Sequence, residues 1–262
     1  MKDIVLFDMD GTLTPPRKKI ESKIIESLGS LQKFADIGIV SGSPYDYICQ
    51  QMETAWKVSN GLDPSKIMLM PCNGTQLFEY SEESKNFVKR KSTNMIELLG
   101  KEKYRVIVSI LTDLQNQVIE SYTDMPVSGN FISFRGSMIN WCMIGRDADS
   151  SMRQDFVELD KGMRNSLHAQ FEQELRTADI LDVSSSLGGS TSIDIYPTGW
   201  DKTYCLNHVK HPGDVYFVGD KCQPGGNDFE LFRSESTISY ETDGPATTIH
   251  VVEEIKRRIE NV

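Results

Sequence analysis

The chain has 262 residues, enough for one large domain or two modest ones, and its 28 Lys and Arg against 38 Asp and Glu leave a net charge of −10. That acidic balance argues against nucleic acid or an anionic membrane as the main partner, and no apolar run approaches the ~18–20 residues of a membrane span. Charges interrupt the short apolar stretch of MKDIVLFDMDG, so no secretory leader is expected, and five scattered cysteines without a C-x-x-C pair (Cys49, Cys72, Cys142, Cys205, Cys222) read as free thiols in a reducing cytoplasm.

The opening IVLFD is a continuous run of β-branched and aromatic residues ending in Asp8, the pattern of a strand buried on both faces. Ile20, Ile24, Leu28 and Leu31 then form one helical stripe. IGIVSGS from Ile37 reads as a second buried strand, and Tyr45, Ile48 and Met52 mark an amphipathic helix after it. KIMLMPCNG from Lys66 is a third strand, broken by Pro71. Strands alternating with helices predict a doubly wound parallel sheet. From about Ser81 the pattern changes: a Lys-rich stretch, helix-like sequence to about Asp124, and then the alternating runs FISFRG and SMINWCMIG, which read as antiparallel strands. One long helical segment over Met152 to Arg176 and a hairpin from Ile180 to Pro197, turning at Gly188-Gly189, complete a separate α+β region. After Thr198 the parallel pattern returns with VYFVGD, STISYE and a closing helix carrying Ile249, Val252 and Ile259. The sequence therefore predicts an α/β domain interrupted by an inserted α+β one.

In an open parallel sheet, ligands bind at the carboxyl ends of the strands. Asp8 and Asp10 of DMDGT stand at the end of the first strand, Asp220 ends VYFVGD, and Asp228 follows through the Gly-rich PGGND turn. Four carboxylates at one sheet edge repel one another unless a cation sits among them, and an all-oxygen set at an open site suits Mg²⁺. Ser41 and Ser43 end the second strand and can hydrogen-bond a phosphate, and Lys202 adds a positive charge near the same edge. Cys205 and Cys222 lie near these segments and are candidates for a reactive thiol, although small buried hydrophobe is the ordinary role of such residues.

DMDGT, Ser41-Gly42-Ser43, Lys202 and GDKCQPGGND resemble the four motifs of the haloacid dehalogenase (HAD) superfamily of phosphotransferases. Over nearly the whole chain, GTLTPPRKKI, FISFRGSMINWCMIGR, STSIDIYPTGWDKTYCL and VGDKCQPGGNDFELF resemble eukaryotic-type phosphomannomutases. The resemblance implies an α/β, HAD-like doubly wound core of residues 1–82 and 197–262, with a substrate-binding cap of residues 83–196. It also implies interconversion of mannose 6-phosphate and mannose 1-phosphate, with a hexose 1,6-bisphosphate as activator. Asp8 would be the nucleophile and Asp10 the general acid and base, with Ser43 and Lys202 holding the transferring phosphate. Mg²⁺ would be held by Asp8, the Asp10 backbone carbonyl and Asp220, with Asp228 orienting.

A bisphosphate has a second phosphate to be held away from the nucleophile, and guanidinium groups suit that task. Arg135 alternates with Phe134 onto a polar face; Asn140 lies opposite Ile139 and Trp141; Ser192 and Asp194 share one face of their strand. Arg146 is read as ending a strand and Arg153 as starting the next helix. By resemblance Arg135, Arg146, Arg153 and Ser192 bind phosphate, Asn140 and Asp194 bind sugar hydroxyls, and Arg17 contacts ligand. A homodimer through the cap is implied as well. Departures from the family pattern are Ser41 for a glycine, Cys72 in an E-N-G segment, and Ser234 where an acidic residue helps hold an auxiliary cation; no second cation is expected. Two other readings share the motifs: a Mg²⁺-dependent sugar-phosphate phosphatase on the same scaffold, and a catalytically silent sugar-phosphate-binding protein.

Overall fold

The computed structural model describes residues 2–57, 61–210 and 213–261. Its strands run in chain order as β1 (Asp3–Phe7), β2 (Ala35–Val40), β3 (Ile67–Met70), β4 (Gln76–Ser81), β5 (Asn86–Ser92), β6 (Ile132–Phe134), β7 (Ile139–Cys142), β8 (Val183–Gly188), β9 (Ser192–Pro197), β10 (Val215–Gly219) and β11 (Ile238–Glu241). They fall into two compact units, one formed by Met1–Ser92 with Trp200–Val262 and the other by Thr93–Gly199. No described helix is long and apolar enough to cross a membrane.

The first unit holds a seven-stranded sheet in the order β11-β10-β1-β2-β3-β4-β5. The strands from β11 to β3 are parallel, and β4 and β5 close one edge as an antiparallel hairpin. In β1 the alternation that predicts burial on both faces is seen directly. Val5 and Phe7 face one core, with Ile37, Ile39, Leu69 and Val218, covered by the helices Ser22–Leu31 and Pro245–Glu260. Ile4 and Leu6 face the other, with Val40, Met70, Phe217, Cys205 and Leu231. Each fully buried aliphatic or aromatic side chain contributes about 1.5–3 kcal/mol, so a strand apolar on both faces sits at the centre of the sheet. Because the chain winds away from β1 to β2 on one side and returns to β10 on the other, the reversal of strand order lies between β1 and β10. That is where an α/β sheet opens a crevice at its carboxyl edge.

The Lys-rich stretch after Ser81 is not the start of the inserted region. Asn86–Ser92 pairs with Gln76–Ser81 as the edge strand of the main sheet, so the first unit extends to Ser92, ten residues beyond the boundary at residue 82 that the resemblance implies. Lys89, Arg90 and Lys91 are exposed along it, the charged edge that discourages pairing with another chain. The return falls after Gly199, three residues beyond the expected Pro197.

The second unit is a four-stranded antiparallel sheet, β6-β7-β9-β8, with helices at Met95–Leu99, Lys101–Ser121, Ser150–Leu159 and Met163–Thr177. Trp141 of β7 is fully buried and donates its indole N–H to Gln115 Oε1 at 2.8 Å, tying that face of the sheet to the long helix. Ile107, Leu111, Leu114 and Val118 of this helix, and Leu167, Phe171 and Leu175 of the last one, are its buried stripes. The helical region expected over Met152–Arg176 is interrupted. Asp149 caps the first helix through the Met152 N–H, and Lys161 (φ 27°) and Gly162 (φ 93°) turn the chain left-handed before the second. Only glycine adopts the latter conformation without strain.

Candidate active site

Four polar side chains converge where β1 and β10 end. Asp8 follows β1 directly and donates its backbone N–H to Val218 O at 2.9 Å, which fixes it beside β10. Asp220 follows Gly219, the last residue of β10. Lys202 opens the 3-10 helix Lys202–His208, whose start is capped by Asp201 through the Thr203 N–H at 2.8 Å. Its ammonium donates to Asp8 Oδ1 and to Asp228 Oδ1, and the three side chains are 0, 6 and 0% exposed for Lys202, Asp8 and Asp228. The second oxygen of Asp228 accepts the backbone N–H groups of Asp220 (3.2 Å) and Lys221 (3.0 Å), so this carboxylate orients both the lysine and the end of β10. Gly11, at φ 91°, lies where a Cβ would collide with the Asp220 carboxylate; the sharp DMDGT turn can bring that acid close only because residue 11 has no side chain.

Carboxylate oxygens of Asp8, Asp220 and Asp228 lie within 4.8 Å of one another. At such separation and an effective dielectric near 20, each like-charge pair costs about 4 kcal/mol. Burial, with Asp228 and Asp220 adding to it, pushes the Asp8 carboxyl well above its ordinary range, and Lys202 pulls the other way. Burial and Asp228 likewise raise Asp220. Burial alone would lower Lys202, but Asp228 and Asp8 lift it above its ordinary value, so it stays an ammonium. Three carboxylates face the buried Lys202 and the exposed Lys221, whose ammonium lies 3.4 Å from Asp220 Oδ2, which leaves an excess of negative charge at the site. An all-oxygen set of this kind fits a hard divalent cation of the Mg²⁺ type. Among the described residues this is the one acidic cluster of such geometry.

The Asp10 side chain stands apart from this trio. Its Oδ1 accepts hydrogen bonds from Arg17 N (3.0 Å), Tyr47 Oη (3.0 Å) and Gln51 Nε2 (2.9 Å). Tyr47 and Gln51 were not legible as site residues. The signal available was Gln51, a polar residue that shares the buried stripe with Ile48 and Met52 and therefore requires a partner. Around the second strand, the Ser41 hydroxyl accepts the Ser43 N–H at 3.1 Å, while the Ser41 and Ser43 carbonyls accept the N–H groups of Asn73 and Cys72. The loops after β2 and β3 are thereby knitted together. His208 holds the second of them by donating Nε2–H to Gly74 O at 2.7 Å; burial lowers its pKa, which keeps the ring neutral. Cys205 and Cys222 are buried and burial pushes both thiols up, so neither is a poised thiolate.

In the second unit, register brings Ser133, Asn140, Asp194 and Ser186 into one row across all four strands, on the face opposite Trp141. Asn140 Nδ2 donates to Asp194 Oδ1 at 2.6 Å, and Arg135 Nη1 lies 3.9 Å from the same oxygen. The amide oxygen of Asn140 is buried without a protein partner among the described residues. Ser192 donates to Gly188 O at 2.8 Å. Arg146 does not end a strand: β7 stops at Cys142, and Arg146 sits in the following turn. Its carbonyl accepts from Arg153 Nη2, and Arg153 also donates to Ala148 O and Thr191 Oγ1, bracing the turn that carries Arg146.

The family profile described as PMM, eukaryotic phosphomannomutase, matches residues 24–258. This chain belongs to the eukaryotic phosphomannomutase family. It is 36% identical to the phosphomannomutase of Schizosaccharomyces pombe over 97% of this chain and 94% of that one, and 33% identical to that of Saccharomyces cerevisiae over 96% and 93%. The phosphomannomutase of Encephalitozoon cuniculi is 34% identical over 98% and 95%. Among solved structures, the IMP-nucleotidase of Plasmodium falciparum superposes with a TM-score of 0.67 at 15% identity, covering 98% of this chain and 68% of that one. A trehalose-6-phosphate phosphatase of Aspergillus fumigatus gives a TM-score of 0.52 at 16% identity, covering 98% and 93%. These likenesses establish the HAD-type fold, as expected of a phosphomannomutase.

Proposed function

We propose that this member of the phosphomannomutase family interconverts mannose 6-phosphate and mannose 1-phosphate through a phosphorylated Asp8. The observation that carries the reading is the buried Asp8–Lys202–Asp228 array with Asp220 at the carboxyl edge of the parallel sheet. Asp8 attacks phosphorus of a hexose 1,6-bisphosphate; the new Asp8 oxygen–phosphorus bond forms as the sugar oxygen leaves with the bond pair and takes a proton from Asp10. In the return step the hydroxyl of a hexose monophosphate gives its proton to Asp10 and accepts the phosphoryl group, freeing Asp8. Lys202 offsets charge on the transferring group, and Ser43 at the second strand is read as a further phosphate contact.

Asp8, Asp220 and the Asp10 carbonyl would hold Mg²⁺, with Asp228 orienting them, and the ion when bound would neutralise phosphate charge. Asn140 and Asp194 are suited to sugar hydroxyls: one buried amide oxygen lacks a partner, and the neighbouring carboxylate accepts. Arg135, Arg146, Arg153 and Ser192 are assigned to phosphate binding, with Arg153 acting in part by bracing Arg146, and Arg17 is assigned as a ligand contact. We place the enzyme in the cytoplasm and read it as a homodimer through the second unit, where Leu98, Val106 and Phe134 are exposed.

³¹P NMR of the protein with mannose 1-phosphate, Mg²⁺ and a trace of hexose 1,6-bisphosphate tests the reaction. A growing 6-phosphate signal at constant total ester phosphate is expected. Inorganic phosphate in its place would make the protein a phosphatase.

A further inference from the structure

Asp10 receives three donors on one oxygen, and they come from two separate pieces of chain. Arg17 N–H reaches it from the end of the loop after β1, where Arg17 adopts a left-handed conformation (φ 62°). Tyr47 O–H and Gln51 N–H reach it from the helix Tyr45–Gln51. The amide of Gln51 is itself held in one orientation, because the Thr14 hydroxyl donates to its Oε1, leaving the NH₂ to face Asp10. A carboxylate oxygen with three donors is fully committed. The rotamer and plane of Asp10 are therefore set by the protein, and Oδ2 is left as the oxygen for work on a substrate.

The hydroxyl of Tyr47 reaches Asp10 from a helix whose hold on the core comes from its other side chains. The apolar anchoring of this helix falls to Tyr45, stacked on Phe78 at 3.9 Å, and to Ile48, which is fully buried; Tyr47 is only half-buried. We propose that Tyr47, together with Gln51, is a positioning residue for the proton transfer by Asp10, aiming Oδ2 at the sugar oxygen that leaves or attacks. The inference rests on the functional reading above. It deepens that reading by assigning to the helix after the second strand a role in the chemistry performed by the loop after the first.

The proton matters only when the leaving oxygen is basic. A sugar oxygen cannot depart without one, whereas 4-nitrophenolate leaves as the anion. Misaiming Asp10 must therefore slow transfer of phosphate to Asp8 from hexose 1,6-bisphosphate far more than transfer from 4-nitrophenyl phosphate. Loss of the fold, or of Mg²⁺, would slow both.

The experiment compares kcat/KM of wild type, Tyr47→Phe and Gln51→Met with these two donors, because this ratio reports the steps up to departure of the leaving group. With hexose 1,6-bisphosphate, kcat/KM of Tyr47→Phe is expected to fall about five- to tenfold, and with 4-nitrophenyl phosphate less than about twofold. Gln51→Met should show the same asymmetry. Equal losses with the two donors, or no loss with the bisphosphate, would overturn the assignment and leave the functional reading intact. A wild-type protein that transfers phosphate from neither donor would refute the functional reading, and the role of Tyr47 with it.

Discussion

Lys202→Met is the sharpest test of the reasoning behind the site. The ammonium is fully buried between Asp8 and Asp228, which are 6 and 0% exposed, and methionine fills nearly the same volume without the charge. Breaking a buried ion pair from one side costs about 3–5 kcal/mol because the remaining charge has no counter-ion and little water. The folded variant can escape part of that cost by protonating a carboxyl group. From an ordinary value near 3.9 and about 1.4 kcal/mol per pH unit, protonation costs about 5–6 kcal/mol at pH 8 but only about 2 at pH 5.5. Asp8 is already raised by burial, so the folded variant binds a proton that the unfolded chain lacks, and its stability rises as the pH falls through the raised folded value. Urea unfolding in EDTA should therefore show a loss against wild type of about 3–5 kcal/mol at pH 8, shrinking to no more than about 2 at pH 5.5. A variant as stable as wild type at pH 8, or a loss independent of pH, would mean that Lys202 is not the counter-charge of the buried acids.

Other consequences are open to direct measurement. Asp8→Asn should fold as wild type by circular dichroism yet lose at least about a thousandfold in mutase turnover, since the other carboxylate after β1, Asp10, is turned to Arg17, Tyr47 and Gln51 and stands apart from the Lys202 ammonium. Mg²⁺ added to metal-free wild type should raise its melting temperature in a concentration-dependent way, by about 2.7 kcal/mol of stability at a hundred times Kd, and should do far less for Asp220→Asn. Asn140→Ala removes a donor to Asp194 and a buried amide oxygen; it should raise KM for the sugar phosphate about tenfold with a smaller effect on kcat.

The legible parts of the sequence were those in which one physical requirement dominates. IVLFD and VYFVGD are apolar on both faces because they occupy the middle of the sheet, and the acids following them mark its carboxyl edge. Asn86–Ser92 escaped notice because NFVKRKS is an edge strand, selected for charge against aggregation, and its composition resembles a linker. The break at Gly162 was hidden because helical periodicity resumes on its far side with Leu167 and Phe171. In the site, Asp8, Lys202, Asp220 and Asp228 were readable from motif order. The grip of Tyr47 and Gln51 on Asp10 was not, because it depends on which side of a short helix faces a loop thirty-odd residues earlier. Arg153 was readable as a cation near a helix start, but not as a brace whose guanidinium holds two backbone carbonyls and a threonine.

The first unit is assembled from both ends of the chain, and this bears on how the protein is made. Lys202 meets Asp8 across 194 residues of sequence, and the inner edge of β1 is paired by β10. A ribosome emitting about 5–20 residues per second delivers β1 many seconds before its partner. Throughout that interval the growing chain presents an apolar strand with one unpaired edge, the kind of surface that captures other nascent chains. The acid at the end of that strand also waits, without its lysine, in surroundings not yet dry. The buried array of Asp8, Lys202 and Asp228 is thus completed only when the last quarter of the polypeptide arrives.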